Sequence, residues 1–432
     1  MSFQGCPRTL LLESFRAAVA AADPLEIVAN HLPPPHAGGR TLVVGAGKAA
    51  ASMALAVERA YAGKATLEGV VVTRYAHGLP TEHIRVIEAG HPVPDEAGEQ
   101  AAADILAQVQ SLGPDDRLIV LVSGGGSSLL SLPAEGIPMA DLKATTRELL
   151  RCGAPITDMN IVRKHISRIQ GGRLAQASRA PVTTLIVSDV AGDDPSAIAS
   201  GPTVPDPSTY ADALAILKRF GATVPQTVQS HLERGARGEI AETPKPGDAL
   251  FARVDNRMIA TAHGSLEAAA AVFRRQGIEP VVLGDTVTGE AQEVARVYAA
   301  LVREIRQYNA PFSAPVVLIS GGECTVTLPS GASATARGGR CSEFLLSLAI
   351  ELGGAANIHA IAADTDGIDG SEDNAGALLG PDSVARAADA GLSARHQLDA
   401  HDAWGFFQAI DDLVVTGPTR TNVNDYRAIL IL

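Results

Sequence analysis

The sequence contains few cysteines, few aromatic residues and no long hydrophobic run. Only four of its 432 residues are cysteines, and they lie far apart without a CxxC pair. The N-terminal run TLLLESFRAAV is interrupted by Glu13 and Arg16 before a signal-peptide core could form. Together these absences predict a cytoplasmic protein with reduced thiols.

A membrane-spanning segment and an excess of positive charge are also missing. No apolar run approaches the ~20 residues that a transmembrane helix requires, so we predict no membrane partner. The 35 basic and 48 acidic residues give a formal net charge of -13, and the lysines and arginines are scattered along the chain. Such a chain would repel phosphodiester backbones, which makes nucleic acid a poor candidate partner and leaves an anionic metabolite open.

Length and composition predict two compact α/β domains. A chain of 432 residues is longer than one hydrophobic core usually supports, about 250 to 300 residues. The composition, 46% hydrophobic and 4% aromatic, argues against disorder. Because the stretch AETPKPGDALFARVDN is typical of a linker, we place one domain at residues 1–250 and a second at residues 251–432.

Strand and helix patterns alternate in the first domain. Apolar runs at 41–44, 67–73, 117–122 and 182–189 predict strands, and helical patterns separate them. This alternation predicts a Rossmann-like domain with a mainly parallel sheet, in which ligands bind outside the carboxyl ends of the strands. In the second domain, predicted strands and helices alternate again, which indicates a smaller α/β domain.

The stretch LIVLVSGGGSSLL ends a predicted strand in a loop almost without side chains. Ser123, Gly124, Gly125, Gly126 and Ser127 follow the apolar run directly. Backbone N–H groups in such a loop can approach a ligand closely, and the serine hydroxyls add further donors. A tight turn with positive φ is the alternative, but three successive glycines between serines favour a phosphate site.

A second glycine turn, VVGAGKAA, fits the pattern G-x-G-x-x-A. Gly45, Gly47 and Ala50 occupy the positions where a dinucleotide-binding fold needs a tight turn, close backbone approach and helix packing. Lys48, at the start of the next predicted helix, would reach the anion site with its ammonium group. The glycine spacing does not match a Walker A loop, which disfavours a P-loop NTPase.

Two later segments supply polar side chains. In TDMNIVRKHISRIQGGRLA, Asn160, Arg163 and Lys164 lie at helical spacing. The predicted helix has few apolar residues, which favours a polar face directed into a cleft over a face exposed to solvent. In SDVAGDDPSAIASGPT, Asp189 and Asp193 follow a predicted strand. Mg²⁺ prefers one or two carboxylates with waters, so either aspartate is a candidate metal ligand, and either could instead accept a proton.

The second domain contains GGRCSE, in which Arg340 follows two glycines at a predicted helix start. A guanidinium at this position can bind a carboxylate or phosphate in a bidentate manner, although capping and turn chemistry would explain the same residues. The segments DTDGIDG and GPTRTNVND, which follow later in the second domain, add acidic and amide side chains.

These motifs, in this order, closely resemble the glycerate 2-kinases whose C-terminal part is called the MOFRL domain, here at about 314–425. The resemblance implies ATP-dependent and Mg²⁺-dependent phosphorylation of D-glycerate at its 2-hydroxyl, giving 2-phosphoglycerate and ADP. It also implies an active site in the cleft between a Rossmann-like domain and a smaller α/β domain. The sequence departs from the family at GGRCSE, where GGRNQE is usual, and at Cys324, while Arg340 and Glu343 are retained.

The family resemblance implies that Lys48 and Arg340 are essential to activity. We expect the two glycine loops to bind the nucleotide phosphates, and Asn160, Arg163, Lys164 and Glu343 to bind the substrate. We expect Asp189 to act as a base or, with Asp193, as a metal ligand. A homo-oligomer is compatible with the sequence, which does not define the oligomeric state.

Two alternatives stay open at this point. An NAD(P)H-dependent hydroxypyruvate reductase would use the G-x-G-x-x-A turn and an acid such as His77, His91 or His165. It would also favour an acidic residue at the end of the second strand, where the chain has Thr73 and Arg74. A non-catalytic nucleotide or sugar-phosphate sensor would use the same phosphate loops without turnover.

Overall fold

The computed structural model describes residues 5–36, 38–328 and 336–432. The chain forms two compact units, one made of Pro24–Ile259 and the other of the residues up to Asp23 together with Ala260–Leu432. We call them the glycine-loop unit and the terminal unit. Within the described residues, no helix combines the length and apolar character that crossing a membrane requires.

Many of the strands and helices follow each other in the alternating order that the sequence predicts. The strands are β1 Thr41–Ala46, β2 Leu67–Arg74, β3 Ile84–Ala89, β4 Arg117–Val122, β5 Val182–Val187, β6 Val254–Ala260, β7 Glu279–Gly284, β8 Gly289–Glu290, β9 Val316–Ser320, β10 Cys324–Thr325, β11 Ile358–Asp364, β12 Gly376–Leu379, β13 Leu413–Val414 and β14 Asp425–Ile431. The helices are α1 Pro7–Ala20, α2 Pro24–Ile27, α3 Ala50–Tyr61, α4 Glu96–Gln110, α5 Gly126–Leu129, α6 Met139–Arg151, α7 Ile156–His165, α8 Arg173–Ala177, α9 Tyr210–Arg219, α10 Gln226–Ala236, α11 Ala262–Arg275, α12 Ala291–Tyr308, α13 Arg340–Leu352, α14 Ser383–Asp389, α15 Ala394–Asp399 and α16 Ala403–Ala409.

The glycine-loop unit is built on a six-stranded sheet in the order β3-β2-β1-β4-β5-β6. The pairs from β3 to β5 are parallel, which confirms the predicted Rossmann-like domain with a mainly parallel sheet. From β1 the chain proceeds outward to β2 and β3, and from β4 it proceeds the other way. The border between β1 and β4 is therefore the topological switch point, where open α/β sheets bind their ligands.

Continuous apolar runs produce this sheet because helices cover both of its faces. Every residue of β1 and of β5 is buried. Val44 and Val120 pack into one core cluster with Ile105 and Val109 of α4. The strands are thus held rigidly, and the loops at their carboxyl ends inherit fixed positions.

The terminal unit contains a second six-stranded sheet, in the order β13-β12-β11-β14-β9-β7. Its central strand β14 is antiparallel to both β11 and β9, whereas β7 and β9 are parallel. Helix α1 belongs to this unit, because Leu11 and Phe15 share a core cluster with Leu266 and Phe273 of α11. The predicted domains divide the chain at residue 250 and assign this N-terminal helix to the first domain, so the observed units differ from them at both places.

Candidate active site

Two loops meet at the switch point of the glycine-loop unit. The N–H of Ser123 donates to the carbonyl of Ala46 at 3.2 Å, and the N–H of Lys48 donates to the carbonyl of Gly124 at 2.8 Å. The N–H of Ala49 donates to the Ser123 hydroxyl at 3.0 Å. These bonds lock the loop after β1 to the loop after β4, so the two predicted phosphate-binding segments form one surface.

Glycine is required at several positions because the loops lie so close together. Gly47 has φ of +141°, and a Cβ on it would overlap the hydroxyl of Ser123. Gly125 has φ of +79°, and a Cβ on Gly126 would lie 2.6 Å from the Cβ of Ala199. A side chain at any of these positions would separate the loops or force a disfavoured backbone conformation.

Three backbone amides of the SGGGSS loop have no acceptor. The N–H groups of Gly124, Gly125 and Ser127 donate to no atom of the described chain, whereas those of Gly126 and Ser128 donate to the carbonyls of Ser123 and Gly125. Backbone donors that are left unsatisfied beside a glycine turn form an anion-binding concavity. The loop can therefore bind phosphate oxygens without a side-chain ligand.

Two nitrogen-bearing side chains flank Gly125. From the position of a Cβ on Gly125, the Nε2 atom of His91 lies 2.8 Å away and the Cγ atom of Lys48 lies 3.6 Å away. Both side chains are partly exposed. The sequence suggested His91 only as an acid for a reductase, since nothing in its position along the chain predicts contact with the SGGGSS loop.

A chain of polar side chains joins this loop to helix α7. The hydroxyls of Ser127 and Ser200 are 2.9 Å apart, and Ser200 donates to Oδ1 of Asn160 at 3.3 Å. The same oxygen accepts from Nη1 of Arg163 at 3.4 Å. Asn160 and Arg163, predicted as substrate-binding residues, therefore lie beside the glycine loops.

Ser200 is a site residue that the sequence did not reveal. It is fully buried, and it lies between Ala199 and Gly201 in a run of three residues with φ near +50° to +57°. Backbone strain of this kind persists where the surrounding structure enforces it, often at functional sites. The only signal in the sequence is the Ser-Gly-Pro turn, which does not indicate a left-handed run.

Arg163 and Lys164 have opposite electrostatic surroundings although they are adjacent. Burial lowers the pKa of Arg163, and no carboxylate of the described residues offsets that burial. Lys164 is buried on another face of α7 and pairs with Asp206 at 3.6 Å. Burial raises the pKa of Asp206, but Lys164 and hydrogen bonds from Ser208 outweigh it and leave the pKa below its usual value. Arg163 can thus bind an anionic ligand, whereas Lys164 is already paired with the carboxylate of Asp206.

Asp189 and Asp193 follow β5, the neighbour of β4. Asp193 has φ of +54°, and its Oδ1 atom is buried without a hydrogen-bond partner in the described residues. No group of three or more metal-ligating side chains occurs among those residues. Because Mg²⁺ takes one or two carboxylates and completes its shell with water and phosphate, this orphaned oxygen fits such an ion.

Arg340 lies in the terminal unit, at the first residue of α13. Its Nε atom donates to Asp425 and its Nη2 atom to Asp364, each at 2.7 Å, and Glu323 lies 3.3 Å from Nη1. Burial lowers the pKa of Arg340, but Asp425 and Asp364 outweigh that effect and raise it. This guanidinium is therefore held by three carboxylates.

Two protein families match this chain. Residues 10–233 match a domain of unknown function termed DUF4147, and residues 316–425 match the MOFRL family. A glycerate 2-kinase of Pyrococcus horikoshii is 40% identical, over 89% of this chain and 86% of the relative. The chain belongs to the glycerate 2-kinase family.

Two further comparisons agree with this assignment, and a third relative carries a different name. A D-glycerate 2-kinase of Thermotoga maritima is 34% identical over 97% of each chain. A crystal structure of glycerate kinase from the same organism superposes with a TM-score of 0.87 at 33% identity, covering 98% of this chain and 99% of that one. A protein of Agrobacterium vitis that carries the provisional name hydroxypyruvate reductase is 52% identical over 98% of this chain and 94% of its own length.

The departure of this chain from the family motif at GGRCSE is accommodated by Asp369. This buried carboxylate accepts from the N–H groups of Cys341 and Ser342 and from the Ser342 hydroxyl, and burial raises its pKa. Asp369 thus accepts from two backbone N–H groups in the first turn of α13, which do not depend on the side chains that follow Arg340, and Ser342 adds a third bond through its hydroxyl. Glu343 is also buried, 2.8 Å from Nε2 of Gln292 and 3.1 Å from Nδ1 of His401.

Proposed function

We propose that this protein transfers the γ-phosphoryl group of ATP to the 2-hydroxyl of D-glycerate, giving 2-phosphoglycerate and ADP. The observation that supports it most directly is the group of three unpaired amides, those of Gly124, Gly125 and Ser127, beside Lys48 at the switch point. Phosphoryl transfer requires groups that position the reactants and stabilise charge, and it requires no covalent intermediate.

In this proposal the glycine loops bind the nucleotide phosphates through backbone donors. The ammonium group of Lys48 offsets negative charge that develops on the transferring phosphoryl group, and His91 donates to the same oxygens. Gly45 lets β1 lie close to Leu121 of β4, and Gly47 lets the first loop lie close to Ser123, so that both loops can act together. Arg340 of the terminal unit is proposed as a second cationic catalytic residue, as the family resemblance implies.

Arg163 is proposed to bind the carboxylate of glycerate. Its guanidinium lacks a carboxylate partner among the described residues and is oriented by Asn160. A bidentate pair with the substrate would remove the penalty of a buried, uncompensated charge. Asn160 would then also donate its amide to a glycerate hydroxyl. Substrate binding by Lys164 and Glu343 stays a prediction, because Lys164 pairs with Asp206 and Glu343 accepts from Gln292.

Asp193 would hold Mg²⁺ through its unpaired oxygen. The ion, when bound, supplies charge neutralisation at the phosphate oxygens. Asp189 follows the buried strand β5 and is proposed to accept the proton of the 2-hydroxyl as its oxygen attacks the γ-phosphorus. The bond from that phosphorus to the bridging oxygen breaks, and ADP leaves.

The reductase alternative has less support. Strand β2 ends in Thr73 and Arg74, and the Thr73 hydroxyl donates to the Lys48 carbonyl at 3.4 Å, so no carboxylate stands where a nicotinamide ribose is usually bound. His77 and His165, two of the three candidate acids, are buried, and Nδ1 of His165 lies 2.8 Å from the Ile161 carbonyl.

A coupled ADP assay with D-glycerate, ATP and Mg²⁺ tests the proposed function. We expect glycerate-dependent ADP release, and a product that enolase consumes directly, because enolase acts on 2-phosphoglycerate. Oxidation of NADPH by hydroxypyruvate in the absence of ATP would establish the reductase instead. Nucleotide binding without either turnover would establish a sensor.

We also propose a cytoplasmic setting, since all four cysteines are free thiols. Homo-oligomerisation stays a prediction, which size-exclusion chromatography with light scattering would test.

A further inference from the structure

The glycine-loop unit contains a cavity of about 780 Å³ that lies away from the glycine loops. Helix α4 begins beside the SGGGSS loop, where a Cβ on Gly98 would lie 3.4 Å from the Leu129 carbonyl. It then runs toward the amino end of β4. Leu106 and Gln110, near the other end of α4, line part of the cavity, so this part of its wall lies away from the SGGGSS loop.

The cavity wall has a local excess of positive charge. Arg168, Arg173 and Arg234 line it, together with a single carboxylate, that of Glu135. The whole chain has a net charge of -13, so this balance is the reverse of the bulk. A concave, low-dielectric wall concentrates such a field on a small ligand.

Arg173 has a buried donor without an acceptor among the described residues. Its Nη2 atom donates to the Tyr210 hydroxyl at 3.2 Å, while its Nε atom is buried without a partner in the described residues. Burial lowers the pKa of the adjacent His231, and the charges of Arg173 and Arg234 lower it further. The positive potential therefore extends to the inner wall of the cavity.

The other two arginines lie closer to solvent. Arg168 is exposed, and Arg234 forms a surface pair with Glu239 at 3.3 Å, in which both side chains are about half exposed. Surface pairs of this kind are weak and exchange readily for another anion. Leu106 and Ile240 supply apolar wall beside these charges, so the cavity suits a molecule with both an anionic group and a carbon body.

We propose that this cavity binds a small metabolite carrying a multivalent anionic group, either a phosphate or a pair of carboxylates. The guanidinium groups of Arg173 and Arg168 bind that group, and the apolar wall contacts the rest of the molecule. The site shares no residue with the glycine loops, so it constitutes a second ligand site that is independent of the proposed kinase reaction.

Thermal unfolding of the full-length Lys48→Ala variant tests the proposal, because this background weakens anion binding at the glycine loops. Pyrophosphate and succinate are titrated separately at constant ionic strength. We expect at least one of them to raise the unfolding temperature with saturation, and their relative potency distinguishes phosphate from dicarboxylate recognition. Adding Arg173→Met or Arg168→Met should raise the half-saturating concentration at least fivefold.

Arg237→Met is the matched control, since Arg237 is an exposed arginine near Arg234 that pairs with Glu239 but does not line the cavity. It should leave the half-saturating concentration unchanged. If Arg173→Met loses its near-UV circular dichroism, the exposed Arg168 variant decides alone. No saturable shift with either anion, or an equal loss in the Arg237 control, would overturn the proposal.

Discussion

Arg163 of the glycine-loop unit and Arg340 of the terminal unit are both partly buried cations, but their partners differ. Arg163 has no carboxylate partner among the described residues, whereas Arg340 has Asp364, Asp425 and Glu323. Of these three carboxylates, Glu323 is the exposed one. The difference indicates that Arg163 is ready to receive an anion, whereas an anion that binds Arg340 must first compete with Glu323.

Lys48→Ala should give the largest effect. It removes the ammonium group beside the three unpaired amides, and loss of one charge-stabilising donor typically lowers turnover about a hundredfold to a thousandfold. The rate of ADP release measures it, with circular dichroism as the check on folding. Lys64→Ala, on an exposed lysine beyond the end of α3, should keep full turnover. A Lys48→Ala enzyme of normal rate would exclude this residue from the mechanism.

Asp425→Asn tests the other side of the comparison, the carboxylates around Arg340, and should destabilise the terminal unit. Asp425 is fully buried between Arg340 and Arg427, and breaking a buried ion pair from one side costs roughly 3 kcal/mol of unfolding free energy. Urea denaturation measures this loss. The control, Asp382→Asn, breaks a surface pair with Arg386 and should change stability by less than about 1 kcal/mol. Equal effects would show that the Arg340 cluster is not structurally important.

Arg163→Met should raise the KM for glycerate about tenfold to a hundredfold with a smaller change in kcat, because a charge-assisted bond to the substrate is lost. Steady-state kinetics at saturating ATP give both constants. Arg147→Met, on an exposed arginine of α6, should leave them unchanged. An unaltered KM in the Arg163 variant would contradict its role as the anion receptor.

Asp193→Asn should raise the Mg²⁺ concentration for half-maximal activity about tenfold. The neighbouring Asp194→Asn is a demanding control, because Asp194 is already bonded to the N–H and hydroxyl of Ser196. It should shift the Mg²⁺ requirement little. If both variants respond alike, the unpaired oxygen of Asp193 is not a metal ligand.

The sequence predicts the parallel sheet and the glycine loops well, for a physical reason. Strands that are buried on both faces appear as unbroken apolar runs, and glycine marks the points where β1 and β4 bring their loops together. It does not predict where α1 packs. An amphipathic helix shows which face is buried but not the partner, and Phe15 packs against Tyr426 with ring centroids 5.9 Å apart.

Side-chain direction explains the remaining differences within the site. Arg163 and Lys164 are about 100° apart around α7, so adjacent residues of one polar motif face different surroundings. His91 and Ser200 reach the SGGGSS loop through tertiary packing, which no spacing in the chain encodes. Motif spacing thus locates a site, while long-range packing decides which neighbours join it.

Hydrogen–deuterium exchange with a non-hydrolysable ATP analogue and Mg²⁺ tests the central claim most directly. If the amides of Gly124, Gly125 and Ser127 bind the nucleotide phosphates, exchange should slow in peptides that cover residues 45–50 and 123–130. The Lys48→Ala variant should show weaker protection at the same analogue concentration. Unchanged exchange in both segments, with protection elsewhere in the chain, would contradict the account.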